Sequence, residues 1–147
     1  MTTPREHGAH DRRVERLIAT LMAFEATTLA IMSFLHLDDV LTGGSRPFQQ
    51  TDAGVAEAVI GLALVYGAAS LVRNPPRARR VATATTGFAI AGFVVGLSFT
   101  IRGGDAIDIA YHATVLPLLL LTLAALLRSH RGGVSGAPRH RPGDQRG

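Results

Sequence analysis

Two histidines and three carboxylates lie within long apolar stretches of this chain, where ionisable side chains are rare. His36 lies at the end of the first apolar run, and Glu25 lies near the middle of the same run. Glu57 lies early in the second run, and Asp108 and His112 lie early in the fourth. Imidazole nitrogens and carboxylate oxygens bind Zn, Fe and Mn ions. In apolar surroundings the same groups also relay protons or bind cations. These five side chains are the candidates for chemistry in the sequence.

Helical spacing predicts that the candidates share faces. Asp108 and His112 stand one helical turn apart, and the eleven residues from Glu25 to His36 make slightly more than three full turns, so each pair points the same way. Glu57 is flanked by glycines three residues before and four residues after it, which lets another helix approach closely. We expect Glu25 near the middle of its span and the other four candidates in the outer third of the membrane.

Four uncharged or nearly uncharged stretches predict membrane-spanning helices, at 17–37, 53–72, 81–101 and 107–127. Each approaches the length of about 20 apolar residues that crosses a hydrocarbon core of about 30 Å. Inside lipid each segment must satisfy its own backbone hydrogen bonds, so all four should be helical. A soluble bundle would need a polar stripe on every helix, and 81–101 offers only hydroxyl groups. The sequence therefore predicts an all-α fold, a four-transmembrane-helix antiparallel bundle.

The arginine distribution predicts the orientation of that bundle. The net charge is +4 and the pI is about 10.9, values that also occur in nucleic-acid-binding proteins. All fifteen basic residues are arginines, and all but Arg46 and Arg102 precede the first span, separate the second from the third, or follow the fourth. By the positive-inside rule, both termini are cytoplasmic. The arginines thus indicate the orientation of a protein in a bacterial plasma membrane. Its expected partner is the lipid bilayer, and no nucleic-acid partner is expected.

The same pattern divides the chain into three parts. Residues 1–13 are expected to form a flexible cytoplasmic tail, residues 14–128 the four-helix transmembrane domain, and residues 129–147 a disordered basic cytoplasmic tail. In the third span, Gly92 and Gly96 form a GxxxG pattern of the kind that brings membrane helices together. Small-residue helix faces such as this one predict tight packing and could support a homodimer.

Three interpretations of the candidate residues remain open. Glu25, Glu57 and Asp108 could belong to a purely structural polar network, or they could serve a proton- or cation-coupled transporter in which Glu25 and Glu57 act. Alternatively, His36 and His112, together with the two outer carboxylates, could hold a divalent metal, or the two histidines could be the axial ligands of a single haem. The absence of cysteine excludes thiolate sites and disulfides. No hydrolase triad, phosphate loop or cofactor fingerprint is present, which favours a protein that is not an enzyme.

The first helix carries a resemblance to a known family. Its segment Ala-Phe-Glu25-Ala-Thr-Thr, in a short chain with four spans, resembles the small multidrug resistance transporters. That resemblance implies a dimer in which Glu25 binds protons and cationic drugs. The chain departs from the family in having no tryptophan, a long outer loop, and the additional Glu57, Asp108 and His112. The general pattern is that of small bacterial four-span membrane proteins.

Overall fold

The computed structural model describes residues 4–38, 50–73, 76–102 and 106–132, and within them the side chains of 12–38, 52–73, 76–102 and 106–128. These ranges fold entirely as helix and short turns, with no strand among them. The four helices are α1 (Pro4–Leu37), α2 (Gln50–Arg73), α3 (Ala78–Thr100) and α4 (Ala106–Gly132). The predicted all-α, four-helix fold is therefore confirmed. The loop between α1 and α2 contains Arg46 and is predicted to lie on the outer side of the membrane. Most of this loop lies outside the described residues.

Both terminal helices are longer than the sequence pattern predicts. α1 begins at Pro4, so most of the segment 1–13, predicted to be a flexible tail, is helical from that residue onward. Proline suits the first position of a helix, where its missing amide has no partner to lose, and the arginines that follow favour helix. α4 continues to Gly132, which makes the first residues of the predicted disordered tail helical as well. The rest of that tail, 133–147, lies outside the described residues.

All four helices are long and apolar enough to cross a membrane. The candidate spans Arg12–Leu37, Asp52–Arg73, Ala78–Thr100 and Ala106–Arg128 contain 26, 22, 23 and 23 residues. At about 1.5 Å per residue these lengths exceed the hydrocarbon core of about 30 Å. This statement rests on length and composition alone.

The buried side chains of α1 and α4 follow alternating steps of three and four residues. In α1 the buried positions include Met22, Glu25, Leu29, Met32 and His36, and α4 repeats the spacing. Such a repeat places the buried residues on one face of the helix, and this face packs against neighbouring helices, as in coiled coils and membrane bundles. The candidate residues occupy that face, which is why they point into the protein.

Contacts between helices bring specific ends together. α1 packs on α2 and α4, α2 on α3, and α3 on α4. Near the start of α1, Glu15 accepts a hydrogen bond of 2.9 Å from Arg79 at the start of α3. At its other end, the hydroxyl of Ser33 donates to the backbone carbonyl of Gly54, near the start of α2, at 2.7 Å.

The outer surface of the bundle is more apolar than the exterior of a soluble protein. Large apolar side chains are exposed on every helix, among them Phe34 (64%), Leu62 (69%), Val95 (54%) and Leu121 (65%). Contiguous exposed apolar area of this kind marks a surface made for protein or lipid. The candidate polar side chains lie inside, within a core that is otherwise mostly apolar.

Candidate functional site

A cavity of about 200 Å³ lies where α1 and α3 end and α2 and α4 begin. Four of the five sequence candidates line it, one from α1, one from α2 and two from α4: His36, Glu57, Asp108 and His112. All four side chains are buried. We call this space the His–carboxylate cavity.

The first half of the polar lining is a histidine–glutamate pair. Nδ1 of His36 lies 2.8 Å from Oε2 of Glu57. The pairing depends on a close approach of α1 and α2 one turn away, at Gly54. A Cβ atom added there would lie 2.8 Å from the side chain of Leu37 and 3.0 Å from the carbonyl oxygen of Ser33. Glycine at this position therefore lets the two helices meet closely enough to pair the imidazole with the carboxylate.

The second half is an aspartate–histidine pair within α4. Nδ1 of His112 lies 3.0 Å from Oδ1 of Asp108 and 3.0 Å from the backbone carbonyl oxygen of the same residue. The carbonyl contact is the one with hydrogen-bond geometry, so Oδ1 has an ion-pair contact but no hydrogen bond within the described ranges. The other carboxylate oxygen, Oδ2, accepts a hydrogen bond of 3.0 Å from the hydroxyl of Thr100 on α3. Oδ2 of Asp108 is thus held by Thr100, while Oδ1 lies against the imidazole of His112.

Donor atoms from three helices converge in this cavity. His36, Glu57 and Asp108 each offer one ligand atom, and the three atoms lie within 4.8 Å of one another. Two ligands bound to one ion at about 2.1 Å each are at most about 4.2 Å apart, so small adjustments bring all three into range. An imidazole and two carboxylates form a donor set suited to a divalent transition metal.

His112 lies beside this group and outside it. Its ring packs against Phe93, with centroids 5.1 Å apart, and edge-on against Tyr111 at 5.9 Å. A Cβ atom added at Gly96 would lie 2.9 Å from Nε2 of His112. The imidazole is therefore held between α3 and Asp108, where it can orient the carboxylate, since carboxylates that bind metal ions are usually held in place by neighbouring groups.

Glu25 is separate from the cavity. It lies about 16 Å along α1 from His36, by the rise of 1.5 Å per residue, and the buried Leu29 and Met32 come between them. Its side chain is fully buried, and Oε1 accepts a hydrogen bond of 2.7 Å from Thr122 on α4. Oε2 has no hydrogen-bond partner in the described part of the chain. The structure therefore places Glu25 in a second, deeper polar site.

Sequence reasoning gave no role to several residues that shape these sites. Thr100 holds Asp108, Thr122 holds Glu25, and the hydroxyl of Tyr111 lies 3.3 Å from that of Thr28. A usable signal existed for Thr122, which stands fourteen residues after Asp108, and therefore two heptads along the buried face of α4. It is also one of few polar residues in the inner half of that helix.

The glycines of the GxxxG pattern pack inside the chain. A Cβ atom added at Gly92 would lie 2.5 Å from Cδ1 of Ile60 on α2, and Gly96 faces His112. This glycine pair therefore makes room for contacts within one bundle. A homodimer through other small-residue faces stays a prediction.

Two features of the described residues bear on function. The first is the His–carboxylate cavity with its three metal-compatible donors. The second is the buried Glu25, one of whose oxygens has no hydrogen-bond partner. Comparisons with protein-family models, with curated proteins and with solved structures find no match for this chain.

Proposed function

We propose that this chain is a multi-pass membrane protein that binds one divalent first-row transition metal ion through His36, Glu57 and Asp108. The observation that carries the proposal is the convergence of their three ligand atoms, from three helices, within 4.8 Å of one another at a buried site. Zn²⁺, Mn²⁺ and Fe²⁺ accept mixed nitrogen and oxygen ligands of this kind.

Charge balance favours an ion over a purely structural network. Two carboxylates are costly inside a membrane unless something neutralises them. A divalent ion bound to Glu57 and Asp108 makes the sum of charges zero while His36 stays neutral. A structural network would instead need two protons, on the histidines or on the carboxyl groups themselves, to cancel the same two charges. Oδ1 of Asp108 lies 3.0 Å from Nδ1 of His112 without the geometry of a hydrogen bond, so a polar network would be imperfectly paired at this atom.

The size of the cavity favours an ion over a haem. Pockets for drug-sized ligands measure about 300–1,000 Å³, whereas this cavity measures about 200 Å³. In addition, Nε2 of His112 faces α3 at Gly96 and leaves little space for a flat macrocycle on that side. An axial role for His36 and His112 stays a prediction that the cavity volume does not support.

We also propose that the four helices form an antiparallel bundle in a bacterial plasma membrane, with both termini in the cytoplasm. Two observations support it. The end of α1 contacts the start of α2 through Ser33 and Gly54, and the end of α3 contacts the start of α4 through Thr100 and Asp108. Arginines concentrate on the side that would carry both termini. The metal site then belongs to the outer half of the membrane.

A second candidate function is exchange of the bound cation for protons. The observation that favours it is Glu25, a fully buried carboxyl in the middle of the first span with one unpartnered oxygen. An intramembrane acid of this kind is a candidate proton carrier. In liposomes, a metal gradient would then drive proton release that Glu25→Gln abolishes while metal binding persists. Proton release that is unchanged in this variant would exclude the exchange.

The metal proposal is tested by elemental analysis of the protein purified in mild detergent and loaded with Zn²⁺ or Mn²⁺. We expect about one ion per chain, as three converging protein ligands imply. His36→Ala, Glu57→Gln and Asp108→Asn should each lose it. Glu25→Gln is the matched control, since it removes a buried carboxylate outside the group. Metal content equal in all five proteins, or absent from a folded wild type, would overturn the proposal.

A further inference from the structure

Apart from its polar end, the His–carboxylate cavity has apolar walls built largely from small residues. Ala53 and Ala56 of α2 face Gly92 and Gly96 of α3 across it, and the larger Ile60 closes its deep side. Ala53 and Ala56 leave space beside α3 that larger side chains would occupy, whereas Gly92 and Gly96 make room for the side chains of Ile60 and His112. The gap between α2 and α3 therefore depends on the two alanines of α2.

This gap is open to the outside of the bundle. Of the residues that line the cavity, Ala56 and Val95 are exposed, Val95 by 54%. Both lie inside the candidate spans, four residues from the start of Asp52–Arg73 and five residues from the end of Ala78–Thr100. An exposed residue within a span faces lipid, so the opening leads from the hydrocarbon region directly to the metal ligands.

The dimensions of the space limit what can enter. A protein cavity of about 150 Å³ is large enough for benzene, so the volume of about 200 Å³ accommodates one six-membered ring. The three protein ligands also leave at least one coordination position of the ion free, as in catalytic metal sites. A ring that carries an oxygen donor fits both the polar and the apolar part of the cavity. Its oxygen would bind the ion, and its carbon face would pack against alanine, glycine and phenylalanine.

We infer that the His–carboxylate cavity binds the ring-sized, oxygen-bearing head group of a lipid-soluble molecule of the phenol or quinol class, which enters sideways between α2 and α3. The apolar tail of such a ligand stays in the bilayer, outside the opening at Ala56 and Val95. Entry by this route is independent of the metal, whereas coordination of the head group rests on the proposed metal site.

The opening is tested by cysteine labelling, for which the chain is suited because it contains no cysteine. Ile60→Cys places a thiol on the cavity wall of protein reconstituted in liposomes. A lipid-soluble benzyl maleimide should label it at least about tenfold faster than a charged, membrane-impermeant maleimide, because a bare charge enters hydrocarbon at high cost. Adding Ala56→Leu and Val95→Phe should slow the lipid-soluble reagent by a similar factor.

The matched control is Ala113→Leu, an equally small change at an exposed position of α4 that does not line the cavity. It should leave the labelling rate unchanged. Equal rates for the two reagents, or no slowing when the opening is filled, would overturn the lateral route. This experiment needs no metal, so its result stands whether or not the metal proposal holds.

The ligand class is tested with Co²⁺-loaded protein, whose visible absorption reports the ligands of the ion. Titration with 4-octylphenol in liposomes should shift the spectrum saturably. The shift should weaken at least about tenfold in the Ala56→Leu, Val95→Phe protein and persist in Ala113→Leu, because only the former fills the gap between α2 and α3. A Co²⁺ spectrum that 4-octylphenol leaves unchanged would overturn the ligand. Failure of Co²⁺ to bind at all would overturn the metal proposal, and the ligand with it, while the labelling experiment still decides the opening.

Discussion

Nδ1 of His36 lies 2.8 Å from Oε2 of Glu57, in a contact that joins the last turn of α1 to the early part of α2 inside the bundle. Two of the three proposed metal donors are thus already adjacent, and Asp108 approaches them from α4. The helices bring the donors together through their buried faces, so the site depends on helix packing as much as on its ligands.

Gly96→Ala should weaken metal binding without unfolding the bundle. The added methyl would lie 2.9 Å from Nε2 of His112 and displace the imidazole from its present position beside Asp108. Loss of a group that orients a ligand typically costs about 10- to 100-fold in metal affinity. Gly87→Ala is the matched control, since a Cβ there meets nothing within 4 Å. Equal affinities in a competition titration with a chromogenic chelator would contradict this role for His112.

Thr100→Val should lower metal affinity by about tenfold, the lower end of the range for losing a hydrogen bond to a metal ligand. The hydroxyl of Thr100 fixes Oδ2 of Asp108 at 3.0 Å, and valine removes this hydrogen bond while preserving the shape of the side chain. Ser98→Ala is the control, because its hydroxyl donates a hydrogen bond to the carbonyl of Val95 in its own helix and is not bonded to Asp108 in the described part of the chain. The same titration measures both variants. An affinity for Thr100→Val as high as that of the control would show that Asp108 needs no such support.

Thr122→Val should destabilise the bundle by about 0.6–1.7 kcal/mol, the span from average to largest for hydrogen bonds between membrane helices. The variant removes the 2.7 Å hydrogen bond from Thr122 to Glu25, which joins α4 to α1. Thr114→Val is the control, since the exposed Thr114 bonds only to the carbonyl of Ala110. Equilibrium unfolding in mixed micelles measures the difference. Equal stability of the two variants would mean that this contact contributes nothing to packing.

Single cysteines should report the N-terminus and the turn between α2 and α3 on the cytoplasmic side. Arg12→Cys and Arg77→Cys lie on the side rich in arginine, whereas Asp38→Cys and Arg102→Cys lie at the opposite helix ends, and all four positions are exposed. In intact spheroplasts, an impermeant maleimide should label only Asp38→Cys and Arg102→Cys. It should label Arg12→Cys and Arg77→Cys only after the membrane is permeabilised. Labelling of residues 12 and 38 from the same side would contradict a first helix that spans the membrane.

The sequence predicts the helices well because their burial follows a simple spacing. The steps that separate Glu25 from His36, and Asp108 from His112, place each pair on one helical face whatever the neighbours are. In the structure all four are buried. The apolar length of each span likewise needs no knowledge of tertiary contacts. The start of α1 at Pro4 lies within the segment 1–13, whose mixed charge indicates a flexible tail, while its arginines also favour helix.

The sequence could not predict which atoms meet. Whether Asp108 or His112 contributes a donor atom depends on side-chain rotations that move a ligand atom by a few ångströms. The partner of Glu25 was equally hidden, because the hydrogen bond from Thr122 crosses ninety-seven positions of the chain. Such a contact follows from the packing of α1 on α4, which helical periodicity alone does not determine. The inward position of Gly96 likewise follows from helix packing and not from helical periodicity alone.

X-ray absorption at the zinc edge of the Zn²⁺-loaded protein tests the metal site most directly. The predicted spectrum contains nitrogen and oxygen ligands at about 2.0–2.2 Å. It should also contain the outer-shell scattering of one imidazole, which His36→Ala removes and Gly87→Ala retains. A zinc ion surrounded by water oxygens alone, or an imidazole signal that survives His36→Ala, would contradict a site built from His36, Glu57 and Asp108.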